Sequence, residues 1–191
     1  MRKISLFLLF TLVSLNVFSQ DVKRTFGINY FLNDIASARS IRSSSLSATL
    51  ANDRFARIKN MIPGIAVSYS KGLTGKYDFS STLAASFTNP SLIDEDIIGA
   101  DKLSLELDAS LRSFLLEDKY WVNPYAQIGA GLSKQGGYYG CFIPLGVGLQ
   151  VSFFDEAYFL FNAQYRIPVI NTYSYRFHYS IGIAANLNTL K

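Results

Sequence analysis

The C-terminal part of the chain alternates apolar and polar residues with a period of two. Over residues 141–154, Ile143, Leu145, Val147, Leu149, Val151 and Phe153 alternate with Pro144, Gly146, Gly148, Gln150 and Ser152. Over 158–170, Phe159, Phe161, Ala163, Tyr165 and Ile167 alternate with Leu160, Asn162, Gln164 and Arg166. Over 175–186, Tyr175, Phe177, Tyr179, Ile181 and Ile183 alternate with Arg176, His178, Ser180 and Gly182. Successive side chains of a strand point to opposite faces, so each run is a strand with one apolar and one polar side. The runs reach the length, about ten residues, that a tilted strand needs to cross a bilayer. In the first of them the aliphatic Leu145, Val147 and Leu149 are flanked by Phe142 on one side and Phe153 and Phe154 on the other. Aromatics bracketing an aliphatic belt suit a strand whose ends meet the two membrane interfaces.

The same reading extends upstream. Residues 24–32 form a first strand with Phe26, Ile28, Tyr30 and Leu32 on one face. Residues 62–71, 78–87, 103–115 and 124–134 supply four more, the fourth strand setting Leu103, Leu105, Leu107, Ala109 and Leu111 against Ser104, Glu106, Asp108, Ser110 and Arg112. The set predicts an all-β chain: an eight-stranded antiparallel up-and-down transmembrane β-barrel. Residues 34–60 lack the alternation, and Leu46, Leu50, Phe55 and Ile58 fall near helical spacing behind Ser43, Ser44 and Ser45, any of which could cap a helix. That stretch and residues 88–102 are long connections, whereas GLTGK, LEDKY and DEA are short turns, and QGGYYG is a further loop. Long loops face outside in such barrels and short turns face the periplasm. Trp121, Tyr158 and Phe159 then lie near the periplasmic interface, with Phe87, Tyr138, Phe142 and Tyr175 near the outer one. A soluble lipocalin-type barrel is the competing class and would reverse the pattern, apolar inside and polar outside.

The N-terminus changes the picture by setting the compartment. Arg2 and Lys3 precede an apolar run and then small and polar residues ending at Ser19. This is the form of a secretory signal peptide, here residues 1–19, leaving 20–191 as one barrel domain. The formal charge of +4 includes those two residues and is too small to imply a nucleic-acid partner. Cys141 has no second cysteine to pair with, and with a single histidine the usual zinc-site spacings are missing. No cofactor is expected.

Several stretches carry a resemblance. FGINY, IRSSSL, MIPGIAVSYSKGL, NPYAQIGAG, GYYG, IPLGVGLQVSFFDEA, QYRIPV and FHYSIGIA are similar to the barrel domain of OmpA-family outer-membrane proteins of the Bacteroidetes type. These are strand and turn pieces, and they imply fold and outer-membrane location more than activity. Such proteins usually continue into a periplasmic peptidoglycan-binding domain, which this chain is expected to lack because it stops soon after its eighth strand. The last strand resembles the signal read by the barrel-assembly machinery, with Ser180, Gly182, Ala185 and Leu187 at its marked positions. Outer-membrane lipid, lipopolysaccharide and that machinery are the partners implied, for a monomer.

The polar face holds the candidate chemistry. Glu106, Asp108, Arg112, Arg166 and Arg176, with Gln127, Gln150, Asn162, Gln164 and His178, point into a lumen that eight strands leave just wide enough for side chains to fill. Buried charges need partners, so a polar network closing the barrel is expected, with Glu106 or Asp108 paired to Arg166 or Arg176 across the interior. A non-enzymatic role in envelope integrity or surface interaction follows. A gated, porin-like pore is the alternative. Two enzymatic readings stand behind it: Glu106 and Asp108 as an acid–base pair, and His178 as part of a His–Ser lipid-modifying site, which its inward parity disfavours. Arg39, Arg42, Arg54, Arg57 and Lys59 in the first long connection are candidate contacts for lipopolysaccharide phosphates.

Overall fold

The computed structural model describes residues 23–51, 55–87, 103–116, 120–135, 137–154, 156–170 and 173–188. The expected signal peptide, Arg54 and the connection 88–102 lie outside them. The described residues form β1 (Arg24–Asp34), β2 (Ile62–Thr74), β3 (Tyr77–Phe87), β4 (Leu103–Phe114), β5 (Val122–Gln135), β6 (Tyr138–Phe153), β7 (Ala157–Pro168) and β8 (Arg176–Asn186). Each strand pairs antiparallel with the next, and β1 pairs with β8 to close the ring. Closure leaves no unpaired edge, the condition under which strands can span lipid.

The outward wall is apolar, Ile28, Ile65, Leu107, Ile128, Val147 and Ile183 all being exposed. Charged outward positions fall at strand ends: Arg24 opposite Lys71 at one end, Lys134 at the other. Phe177 meets Tyr165 at 5.0 Å and Tyr179 at 6.1 Å at the end carrying the long connections. Phe153 meets Phe159 edge-on at 5.0 Å at the other end. Among the described residues no helix is long and apolar enough to cross a membrane; the strands do so.

Three sequence expectations change. Phe142 and Tyr158 are not interfacial aromatics; both are buried inside the barrel. Their parity placed them there, Phe142 with Pro144 and Gly146, Tyr158 with Gln164 and Arg166. Phe31, Phe114 and Tyr125 join them in the interior. Room for these rings comes from glycines on the next strand: Phe31 stands opposite Gly64, Phe142 opposite Gly131 and Tyr125 opposite Gly148. A Cβ at Gly148 would lie 2.3 Å from the Tyr125 ring and 2.6 Å from the Phe161 carbonyl oxygen.

Of the QGGYYG loop, Gln135 belongs to β5, and Tyr138, Tyr139 and Gly140 lie inside β6 with Cys141. The first connection is also more regular than expected. β1 runs directly into α1 (Ile35–Ser43), and α2 (Leu46–Ala51) follows. Asp34 ends the strand and caps the helix, its carboxylate accepting from the Ser37 amide at 2.8 Å. Ser45 accepts from the Ala48 amide at 3.1 Å and caps α2. Of the helical stripe expected for Leu46, Leu50, Phe55 and Ile58, Phe55 is half-buried and meets Phe177 edge-on at 5.8 Å, while the other three are exposed and Thr49 is the buried residue of α2. Thr49 lies 3.1 Å from Ser40 across the two helices, and the Ala56 amide donates to Ser37 at 2.8 Å.

Candidate functional site

The inward polar residues sort into layers along the lumen. Nearest the long-connection end, β4 contributes Glu106 and Asp108, β7 contributes Gln164 and Arg166, and β8 contributes Arg176, all buried. Arg166 is fully enclosed; one of its terminal nitrogens donates to Glu106 Oε2, and the other lies 3.4 Å from Asp108 Oδ2. Arg176 donates to Glu106 Oε1 at 2.9 Å. Two carboxylates thus balance two guanidinium groups across the barrel, and Gln164 Oε1 accepts from Arg166 Nε at 3.1 Å. Desolvating these charges is costly, and their mutual attraction offsets that cost only because nearly every donor and acceptor is engaged.

Tyr173 completes this layer, and the alternating pattern gave no reason to include it. It lies in the β7–β8 connection, and its hydroxyl donates to Glu106 Oε1 at 3.2 Å. Burial raises the Tyr173 phenol well above its ordinary pKa, against the pull of nearby Arg176, so it stays protonated and available as a donor. Its ring stacks on Phe142 at 4.8 Å, while Arg176 lies 4.1 Å over Tyr173 and Arg166 lies 4.8 Å over Phe142. The two arginines are therefore held by ring faces as well as by carboxylates.

The remaining sites form separate pairs. Arg112 donates to Ser70 at 3.2 Å, packs 5.1 Å from the centre of the Tyr125 ring and stands in register with Asp78 on β3. Asn162 donates to Gln127 at 3.3 Å. His178 Nδ1 lies 2.8 Å from Asn33 Oδ1, which can only accept, so the ring N–H donates; Phe31 packs on the other side at 4.7 Å. Gln150 is half-buried towards the short-turn end, in register with Asn123 and Leu160 and away from the charged layer. The middle of the lumen retains a cavity of about 20 Å³, bordered by Ser68, Arg112, Tyr125, Asn162 and His178. That is space for roughly one water.

The first-connection basic residues separate as well. Arg39 and Arg42 of α1 border a cavity at the mouth, whereas Arg57 and Lys59 are exposed around the short helical turn Ile58–Asn60 and do not border it. Among the described residues no three histidine, cysteine or carboxylate side chains converge as metal ligands would.

A scan against protein-family models finds no match, and a search of curated proteins finds none. Solved structures do match. The N-terminal β-barrel domain of Pseudomonas aeruginosa OprF aligns with a TM-score of 0.51 at 10% identity, covering 85% of this chain and 97% of that one. Yersinia pestis outer membrane protein Ail aligns at 0.51 and 11% identity over 87% of this chain and 100% of that one. Neisserial surface protein A aligns at 0.51 and 12% identity over 88% and 98%. The chain has the fold of an outer-membrane β-barrel. With its apolar wall and aromatic ends, such a barrel resides in the outer membrane. At these identities the shared feature is the fold, and the residues lining the lumen have to be read from this chain itself.

Proposed function

We propose that the protein is a non-enzymatic outer-membrane barrel whose lumen is closed by the Glu106–Arg166–Arg176 layer, with the long-connection end facing outside. Its role is in envelope integrity or surface interaction, and its partners are the surrounding lipid, lipopolysaccharide and, during insertion, the barrel-assembly machinery. The observation that carries this reading is the filled lumen, where a cavity of about 20 Å³ lies beneath a charge-paired layer. A hydrated ion would have to part these buried ion pairs to pass. The enzymatic alternatives lose support on geometry. Glu106 and Asp108 are both held by arginine, and His178 is bound to Asn33 inside the barrel, away from lipid.

Planar-bilayer recording of the purified protein tests the reading. A closed barrel gives no stable conductance steps, whereas regular steps at neutral pH would install the porin-like alternative. Lipid A extracted from cells overexpressing the protein is expected to be unmodified, and a changed acylation pattern would instead point to a lipid-modifying enzyme.

A further inference from the structure

Three polar atoms in the middle of the lumen have no hydrogen-bond partner among the described residues: Arg112 Nε, Tyr125 Oη and Asn162 Oδ1. Arg112 and Tyr125 are 5% and 1% exposed, and all three atoms are sealed from bulk solvent. A polar group buried without a partner is strongly disfavoured. The three residues belong to β4, β5 and β7, and each borders the cavity of about 20 Å³. The strand register makes them converge. Gly148 of β6 stands between Tyr125 on one neighbouring strand and Asn162 on the other. The Tyr125 ring lies over that glycine, where an added Cβ would come within 2.5 Å of the hydroxyl. The hydroxyl is thereby carried across β6 towards Asn162, and Arg112 packs 5.1 Å from the centre of the same ring.

We propose that this cavity binds an ordered water that joins Arg112, Tyr125 and Asn162 across the lumen. The chemistry of the three atoms decides the occupant. Arg112 Nε can only donate and Asn162 Oδ1 can only accept, while the Tyr125 hydroxyl does either. The other end of the Asn162 amide is already committed, its Nδ2 donating to Gln127 at 3.3 Å. A water accepts from Arg112, donates to Asn162 and takes Tyr125 as its third partner, the usual complement of a buried water. An anion would face the Asn162 carbonyl oxygen and a cation would face the Arg112 guanidinium, so either ion is repelled by one wall. Size agrees, since the cavity holds roughly one water. An apolar cavity stays dry, but this one adds Ser68, Thr82 and Ser180 to its border. The inference rests on the filled lumen proposed above and deepens it: below the Glu106 layer, three strands are tied together through a bound water.

The test is a crystal structure of the mature barrel grown with sodium bromide, because anomalous scattering separates a bound halide from a water. One peak without anomalous signal is expected, within about 2.5–3.2 Å of all three atoms. In nanodiscs, the Arg112 Nε proton is expected to exchange magnetisation with water, giving a nuclear magnetic resonance cross-peak. Asn162→Leu removes the acceptor and is expected to lose both the density and the cross-peak. Heat-modified gel mobility verifies that the variant is folded, and the two wild-type measurements decide the matter if it is not. Absence of the peak would overturn the proposal. So would an anomalous signal in the cavity, a direct hydrogen bond between two of the three side chains in its place, or a peak undiminished in Asn162→Leu. Bilayer recording of the same preparation keeps the two readings apart. A missing peak in a barrel that does not conduct sinks the water alone, whereas conductance steps with the peak present overturn the closed barrel and not the water site.

Discussion

Glu106 is the residue on which the interior depends most. It accepts from Arg166, Arg176 and Tyr173, whereas Asp108 meets Arg166 and Ser110 at 3.4 Å each. Glu106→Ala leaves two guanidinium groups facing one carboxylate and is expected to cost about 3–5 kcal/mol, with Asp108→Ala costing less. The double variant Glu106→Ala/Arg166→Ala leaves Asp108 and Arg176 in balance, so its loss should fall well short of the sum of the single losses. Urea unfolding from lipid vesicles, followed by the fluorescence of the single tryptophan, the exposed Trp121 just before β5, reads all three. Strict additivity would show that the pair is not coupled. A second residue-scale prediction concerns packing: Gly148→Ala would press a methyl group on Tyr125 and on the Phe161 carbonyl. It is expected to cost about 1–3 kcal/mol in the same assay, and Tyr125→Leu in the same chain should recover part of it.

At the scale of elements, the junction between β1 and α1 hangs on Asp34, which is buried and caps the helix through Ser37. Asp34→Ala is expected to cost about 1 kcal/mol and to raise amide hydrogen exchange in α1 while leaving that of β1 unchanged. Equal exchange in the wild type and the variant would mean that α1 is held by packing alone. The strands were legible because lipid and lumen impose opposite demands on alternate residues, so the period of two survives even in β4, where Glu106 and Asp108 interrupt nothing. The lumen charges were legible by the same parity. The helices were not. α1 has Ile35 and Ala38 as its buried apolar residues and buries Ser37 beside them, too little contrast for a helical stripe. In α2 the leucines that suggested such a stripe point away from the protein. Tyr173 escaped for a related reason: it reaches the charged layer from a connection, where no periodicity constrains which residue turns inward. Phe142 and Tyr158 obeyed parity but were read by their chemistry, and their rings fit inside because the neighbouring strands thin the wall or offer small residues.

For the whole molecule, the lipid-facing belt predicts a depth-dependent response to charge. Val147 lies near the middle of β6, between Ala126 and Ala163 on its neighbours, so Val147→Arg is expected to cost about 2–4 kcal/mol. The same change at Phe153, beside the short β6–β7 turn, should cost about 0–1 kcal/mol. Equal costs in vesicle unfolding would remove the wall from the hydrocarbon core. The closing pair of the ring has a consequence for biosynthesis. Because β1 takes β8 as its second partner, with Thr25 opposite Asn186, no length of nascent chain short of the final strand can satisfy both edges. Translation gives the cell no useful intermediate: a chain interrupted anywhere before β8 carries two raw edges into the periplasm. Premature stop codons late in the message should therefore be as damaging as early ones, their products cleared by proteases rather than retained as shorter barrels.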